Sequence, residues 1–244
     1  MVELCENHTG KMEGICSLST SVLLNPFCQK QQAVEGSICS HCFAEAMAKQ
    51  YDALAAKLAR NTKELTEKII PEDELPDTTG LEIFRFESFG DLNNENQLIN
   101  YLNIVKKNPH TRFTLWTKRY KLVEEYFSQH DVPDNFTLII SSLMINKRVD
   151  LTFLKKYNKF KLGQLKSFTV YDYEYIKENY PMVKINCGSR FCYGCRLCYN
   201  CNEVEEINEV LKADQPKVDR FIKCNDPDAI KYQRELLCEL DELL

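Results

Sequence analysis

The chain has 244 residues, of which 44% are hydrophobic, 27% charged and 11% aromatic, the make-up of a folded globular protein and not of a disordered one. Its 31 Lys and Arg against 36 Asp and Glu leave a formal charge of −5. That balance argues against a nucleic-acid-binding surface spread over the whole molecule, which would feed on cationic excess, while leaving a local basic groove open.

Twelve cysteines are the unusual feature. They fall at 5, 16, 28, 39 and 42, then at 187, 192, 195, 198, 201, 224 and 238, with none between Phe43 and Asn186. A secreted disulfide scaffold would spread its cysteines across a small core. The start, MVELCENHTGKMEG, shows no basic stretch followed by an apolar one, and no apolar run approaches the ~18 residues that cross a bilayer. The expectation is a cytoplasmic protein without a membrane segment, whose clustered thiols stay reduced and hold metal.

In chain order, apolar residues recur with helical spacing from Phe43 through Met47, Tyr51, Leu54, Leu58 and Leu65 to Ile69, and Pro71 stops the pattern. This predicts one long helix with Cys42 at its N-terminus, where the helix dipole favours a thiolate. PEDELPDTTG (71–80) is a connector. Five short β-branched or aromatic runs follow: Leu81–Glu87, Arg112–Lys118, Thr137–Leu143, Ser167–Tyr173 and Val183–Asn186 read as strands. Helix-like segments at about Glu95–Lys107, Tyr120–Gln129 and Leu151–Tyr157 separate most of them, with a shorter turn near Tyr175–Asn179.

Strands that read apolar on both faces, alternating with helices, point to parallel β-α-β units. The fold class expected is α/β: a partial (β/α) barrel of about five or six mostly parallel strands, with a doubly wound sheet as the alternative. One domain covers 1–244, made of an N-terminal cysteine segment (1–42), a β/α core (43–186), a cysteine cluster (187–201) and a helical tail (202–244). In that tail Val204–Lys212 reads as a helix, and Asp226, Pro227 and Asp228 read as the cap of a last one. Cys5, Cys224 and Cys238 read as packing residues.

Functional groups in such folds gather where strands end. Those ends carry Glu87, Ser88 and Asp91, then Thr117, Lys118 and Arg119, then Ser141 and Ser142, then Tyr171 and Asp172. The last run leads straight into Asn186 and Cys187, which would deliver the cysteine cluster to the same rim.

Cys192, Cys195, Cys198 and Cys201 succeed one another at C-x2-C spacing. Zinc sites generally use two C-x2-C knuckles parted by a longer loop. Three cysteines at C-x2-C-x2-C with a fourth elsewhere is the ferredoxin-like way of holding a [4Fe–4S] cluster. A trailing proline is absent, and Cys201 comes one residue early for that pattern. Cys28, Cys39 and Cys42 form a second group, and Cys39 with Cys42 also has the spacing of a redox pair. With Cys187 the candidate ligands number seven: Cys28, Cys39, Cys42, Cys187, Cys192, Cys195 and Cys198. Cys16 and Cys201 stand in reserve. His41, inside the knuckle, is expected to point away from any metal.

The segments SLSTSVLLNPFC, SICSHCFA, FRFESFGDL, NPHTRFTLWTKR and NCGSRFCYGCRLCY, in this order, resemble the phage and prophage "gene product 88" family, from roughly Gly10 to Tyr199. The resemblance selects the same seven cysteines, with Ser88, Gly90 and Asp91 and with Thr117, Lys118 and Arg119. It implies phage or gut-bacterial origin but no particular reaction. A looser likeness, of architecture only, is to radical S-adenosylmethionine enzymes. Their C-x3-C-x2-C signature is absent here, and Cys187, Cys192 and Cys195 approximate it only after the last strand.

These readings converge on an iron–sulfur protein holding one or two [4Fe–4S] clusters, with redox or cluster-based catalysis at the rim. Ser88 and Asp91 would orient substrate, Lys118 and Arg119 would bind an anionic group, and the partners would be an electron donor or a small molecule. The alternative is a zinc-stabilised phage module without catalysis. KNPHTRFTLWTKRYK interleaves cations with aromatics as single-strand binders do, but the preferred reading of Phe113, Leu115 and the Trp116 ring is as buried strand residues. A third reading, a thiol oxidoreductase using Cys39 and Cys42 alone, predicts that Cys195 is dispensable.

Overall fold

The computed structural model describes residues 2–188, 191–200 and 204–225. Cys201, Cys238 and the cap at Asp226–Asp228 lie outside the described residues, as does the side chain of Cys224.

Seven strands form one sheet: β1 (Cys5–Glu6), β2 (Cys16–Leu18), β3 (Ile83–Phe86), β4 (Arg112–Thr117), β5 (Phe136–Ser141), β6 (Leu165–Tyr171) and β7 (Glu206–Val210). Their spatial order is their sequence order. Only β1 is antiparallel to its neighbour; β2 to β7 run parallel. The sheet is not closed, since β1 and β7 are its two edges.

The α-helices are α1 (Pro26–Gln32), α2 (Phe43–Gln50), α3 (Asp52–Glu67), α4 (Glu95–Lys107), α5 (Tyr120–Gln129), α6 (Thr152–Lys155), α7 (Tyr173–Asn179), α8 (Cys192–Cys195) and α9 (Gln215–Asn225). The single long helix expected after Cys42 is two, because Tyr51 adopts extended backbone (φ −122°, ψ 98°) and ends α2. For α4, Asn94 caps the start by accepting from Gln97 N–H, and Lys106 and Lys107 lie in the last turn, a polarity that suits the helix dipole.

One face of the sheet carries Phe84, Phe86, Phe113, Leu115, Phe136, Leu138 and Ile140, packed against residues of α3, α4, α5 and α6. Phe86 stacks on Tyr101 of α4, with ring centroids 4.2 Å apart, and on Phe113, 5.4 Å away. Each such buried ring contributes about 1.5–3 kcal/mol. Tyr171 and Val210 extend this face and meet Ile176 of α7 and Val218 of α9. A doubly wound sheet reverses its strand order and carries helices on both faces; a sequential order with the long helices on one face excludes that alternative.

The opposite face is mixed, not uniformly apolar as expected of strands hydrophobic on both sides. By register it carries Ser17, Arg85, Thr114, Trp116, Thr137, Ile139, Ser141, Lys166, Phe168, Val170, Ile207 and Glu209. Ser17, Thr114, Thr137, Ser141 and Lys166 are nevertheless buried.

Two expected elements are exchanged. Val183–Asn186 is not a strand: it runs along the free edge of β7, where the N–H groups of Asn186 and Cys187 both donate to the carbonyl of Asn208. The segment read as a helix at Val204–Lys212 is instead β7 itself. An irregular chain that shields a sheet edge shares the β-branched composition of a strand.

Candidate metal centre

The seven candidate ligands fall into two groups at different places on the sheet. Cys28, Cys39 and Cys42 occupy the rim where β3 and β4 end. Asn25 seats the first of them: its carbonyl oxygen caps α1 by accepting from Phe27 and Cys28 N–H, while its amide donates to the carbonyl of Asp91 at 2.8 Å. Cys39 and Cys42 bracket a short 3-10 turn, Ile38–His41, capped by Ser37. This turn is anchored beyond β5, where Ile38 N–H donates to Leu143 and Ile145 N–H to Gly36. Ser37 and Met144 form an isolated bridge. Cys42 is the N-cap residue of α2, as its spacing predicts, and His41 is exposed.

Burial pushes the Cys28 thiol far up, with the charges of Asp91, Cys39 and Glu87 adding to the effect and Lys118 opposing it. Burial likewise raises Cys39, against the pull of Lys118. Lys118 is half-buried, and its ammonium makes no hydrogen bond or ion pair among the described residues. Arg119 lies 5.1 Å over the ring of Phe27 and donates to the carbonyl of Leu92.

The polar residues beneath this rim are tightly bound to one another. Asp91 accepts from Thr117 Oγ1, Lys118 N–H and Leu92 N–H, so it ties the loop after β3 to the end of β4. Ser88 Oγ lies 2.9 Å from Ser19 Oγ and 3.0 Å from Ser17 Oγ. Glu87 is the residue that sequence reasoning left among the strand ends without a role. It is 2% exposed, and it accepts from Thr20 N–H, Thr20 Oγ1, Gln97 Nε2 and Tyr101 OH. Burial raises its carboxyl to about 7 in spite of those donors. The signal for it is Gly90 with the Gln97–Tyr101 pair on one face of α4: a Cβ at Gly90 would stand 2.5 Å from Glu87 Oε2 and 2.6 Å from the Thr20 carbonyl.

Cys187, Cys192, Cys195 and Cys198 form the second group, on the opposite, mixed face of the sheet and not at the rim to which the fifth predicted strand would have delivered them. Cys192 and Cys198 pack with Met12, Ile15, Ile83, Tyr193 and Tyr199. Lys11 Nζ is 3.3 Å from Cys187 Sγ and pairs with Glu209. Burial raises Cys187 to about 11, with Glu209 adding to the rise and Lys11 opposing it. Burial also raises Cys192 and, more strongly, Cys198, and the charge of Arg85 opposes both shifts. Cys198 feels Cys187, Cys192 and Cys195 together, which makes these four thiols one electrostatic unit.

All nine described cysteines are free thiols. Cys5 is buried, as a packing residue would be, and Cys16 packs beside the main core on β2, away from both groups. Among the described residues no three Cys, His, Asp or Glu side chains converge closely enough to hold a metal ion. The donor set suits a thiophilic metal, but its thiols are spaced as neighbours and not as a closed ligand shell.

The cation-rich segment is not an aromatic surface, since Phe113 and Leu115 are buried in the core and Trp116 lies under Arg85. No described helix is long and apolar enough to cross a membrane. A family model described as Gene product 88 matches residues 2–196. No curated protein and no solved structure matches the chain.

Proposed function

We propose that this chain, which belongs to the gene product 88 family, is a cytoplasmic iron–sulfur protein with redox or cluster-based catalysis at its rim. The carrying observation is the division of the seven candidate thiols into Cys28, Cys39 and Cys42 on the capped turns at the rim and Cys187, Cys192, Cys195 and Cys198 around α8, where Lys11 sits on Cys187 and Cys192 and Cys198 pack with Tyr199. Four thiolates complete the coordination of one [4Fe–4S] cluster. Three leave one iron of a second cluster without a cysteine, and that place is where a substrate or other small ligand would bind.

In this reading the open sheet is a partial (β/α) barrel, supported by its sequential strand order. The roles at the rim divide by what each side chain is free to do. Lys118, with no partner of its own, binds an anionic group, with Arg119 beside it. Asp91 and Ser88, whose bonds are taken up by neighbours, hold the rim in shape. Burial raises Cys28, Cys39 and Cys198, so metal bound there would have to displace their protons.

Anaerobic purification followed by iron, acid-labile sulfide and zinc analysis, with electron paramagnetic resonance on the reduced protein, tests the proposal. Iron and sulfide in equal amounts, with a reducible signal, are expected. A colourless protein carrying stoichiometric zinc and no labile sulfide would end it in favour of a zinc-stabilised module.

A further inference from the structure

Cys39 and Cys42 stand three residues apart on one hydrogen-bonded turn. Cys42 is the C-cap residue of the 3-10 segment Ile38–His41, and its N–H donates to the Cys39 carbonyl at 3.2 Å. Three residues of a 3-10 helix advance about 6 Å and return to the same side, so their side chains eclipse. A disulfide most often joins Cα atoms about 5.5–6 Å apart whose Cβ vectors do not diverge. The backbone of the reduced turn is thus already that of a closed disulfide. Its neighbours hold it there: Ser37 Oγ accepts from Ser40 N–H at 3.0 Å, Ser40 Oγ donates to the Ser37 carbonyl at 2.7 Å, and Ile38 N–H donates to the Leu143 carbonyl at 3.0 Å.

The two thiols differ in access. Cys42 opens onto a surface cleft of about 490 Å³, which His41, Phe43 and Lys49 also line and Cys39 does not. Phe43 is 64% exposed, and its ring centroid lies 6.0 Å from that of Phe89, so an apolar wall stands beside the accessible sulfur. Both thiols are free. One thiol within reach of solvent and a second on the same turn suit an exchange in which the first attacks and the second resolves.

We propose that Cys39 and Cys42, when they carry no metal, perform thiol–disulfide exchange with a low-molecular-weight disulfide, Cys42 attacking and Cys39 resolving. The deprotonated Cys42 sulfur attacks one sulfur of the disulfide, whose S–S bond breaks. The leaving thiolate takes up the proton that Cys42 released, and a mixed disulfide remains. Cys39, losing its own proton to the second leaving thiolate, then attacks Cys42 Sγ. Two electrons pass from the cysteine pair to the small disulfide, which departs as two thiols. This activity goes beyond the iron–sulfur proposal, in which the same two cysteines are ligands; metal held on them blocks the exchange.

The test uses the full chain, stripped of metal by a chelator, reduced, and treated under argon with one equivalent of oxidised glutathione. Peptide mapping by mass spectrometry reads which cysteines have reacted. A Cys39–Cys42 disulfide is expected, with release of two glutathione molecules per chain. Cys39→Ser should retain glutathione on Cys42, and Cys42→Ser should react about tenfold more slowly than Cys39→Ser. Cys28→Ser, which weakens metal binding at the rim without touching the pair, should give the same Cys39–Cys42 product.

Glutathione spread evenly over the twelve cysteines, or a disulfide joining Cys39 to Cys28, overturns the proposal. So does Cys42→Ser reacting as fast as Cys39→Ser. The map of the unsubstituted chain is independent of how any variant folds. Iron, sulfide and zinc are measured on the untreated protein, so the two proposals fail separately. Iron and sulfide on a chain that shows no exchange once stripped overturn this one alone, and exchange by a chain without iron or sulfide overturns only the iron–sulfur reading.

Discussion

Glu87→Gln isolates the effect of a buried carboxyl on stability. Glu87 sits at the end of β3 with φ 56° and four donors around it, and burial lifts it from 4.5 to about 7. A raised carboxyl means that the folded chain keeps a proton which the unfolded chain has released. Stability therefore falls as pH rises between those two values, the full benefit being present only below 4.5. At about 1.4 kcal/mol per pH unit, the decline comes to about 3 kcal/mol by pH 8. Glutamine is neutral and nearly the same shape, so it removes the titration while retaining an acceptor for Thr20 and Tyr101. Urea unfolding of both proteins from pH 4.5 to 8 gives the difference in unfolding free energy, in which every other titrating group cancels. That difference should move by about 3 kcal/mol in favour of the glutamine variant as pH rises. A difference constant to within about 0.5 kcal/mol over this range, well below the expected change, would refute the argument that desolvation outweighs the four hydrogen bonds.

Further outcomes follow from the same rim. Gly90→Ala forces a methyl against Glu87 Oε2 and the Thr20 backbone, and urea unfolding should record a loss of about 1–3 kcal/mol; an unchanged midpoint would contradict the close approach. Asp91→Ala strands the Thr117 hydroxyl and the N–H groups of Lys118 and Leu92, each worth about 1–3 kcal/mol when buried and unpaired. The expected result is a clearly lower thermal midpoint, with metal loss confined to the rim. Cys28→Ser should lower metal per chain without abolishing it, as measured by elemental analysis. Complete loss would mean that both thiol groups serve one shared site.

The parts of this fold legible in the sequence are those whose burial follows a single period. Glu95–Lys107 and Tyr120–Gln129 are helices with the bounds their apolar spacing predicts, because each presents one stripe to the core. β3 to β6 were legible from β-branched and aromatic runs. β7 was not, because Val204, Ile207 and Val210 recur every three residues as on a helix, although Glu206–Val210 pairs with β6 as a strand. β1 and β2 are two and three residues long, too short to carry any period. Spacing grouped Cys28 with Cys39 and Cys42, and Cys192 with Cys195 and Cys198, while leaving Cys187 open to either group. Their separation was not, since it depends on Val183–Asn186 running along the sheet edge and not through the sheet. Glu87 was read as one of the strand-end polar residues, but its role was not, because its partners Thr20, Gln97 and Tyr101 come from separate stretches of the chain.

The sequential strand order bears on how the molecule is made. Each of β2 to β7 pairs with the strand synthesised just before it, so the sheet can grow in register as the chain leaves the ribosome, domain-like from its N-terminus. The rim thiols need nothing beyond Ile145 to be anchored, whereas the second group waits for Cys198 and for Glu209 to meet Lys11. The first three thiols thus belong to a part of the sheet translated before the second group, so the two groups come into place one after the other.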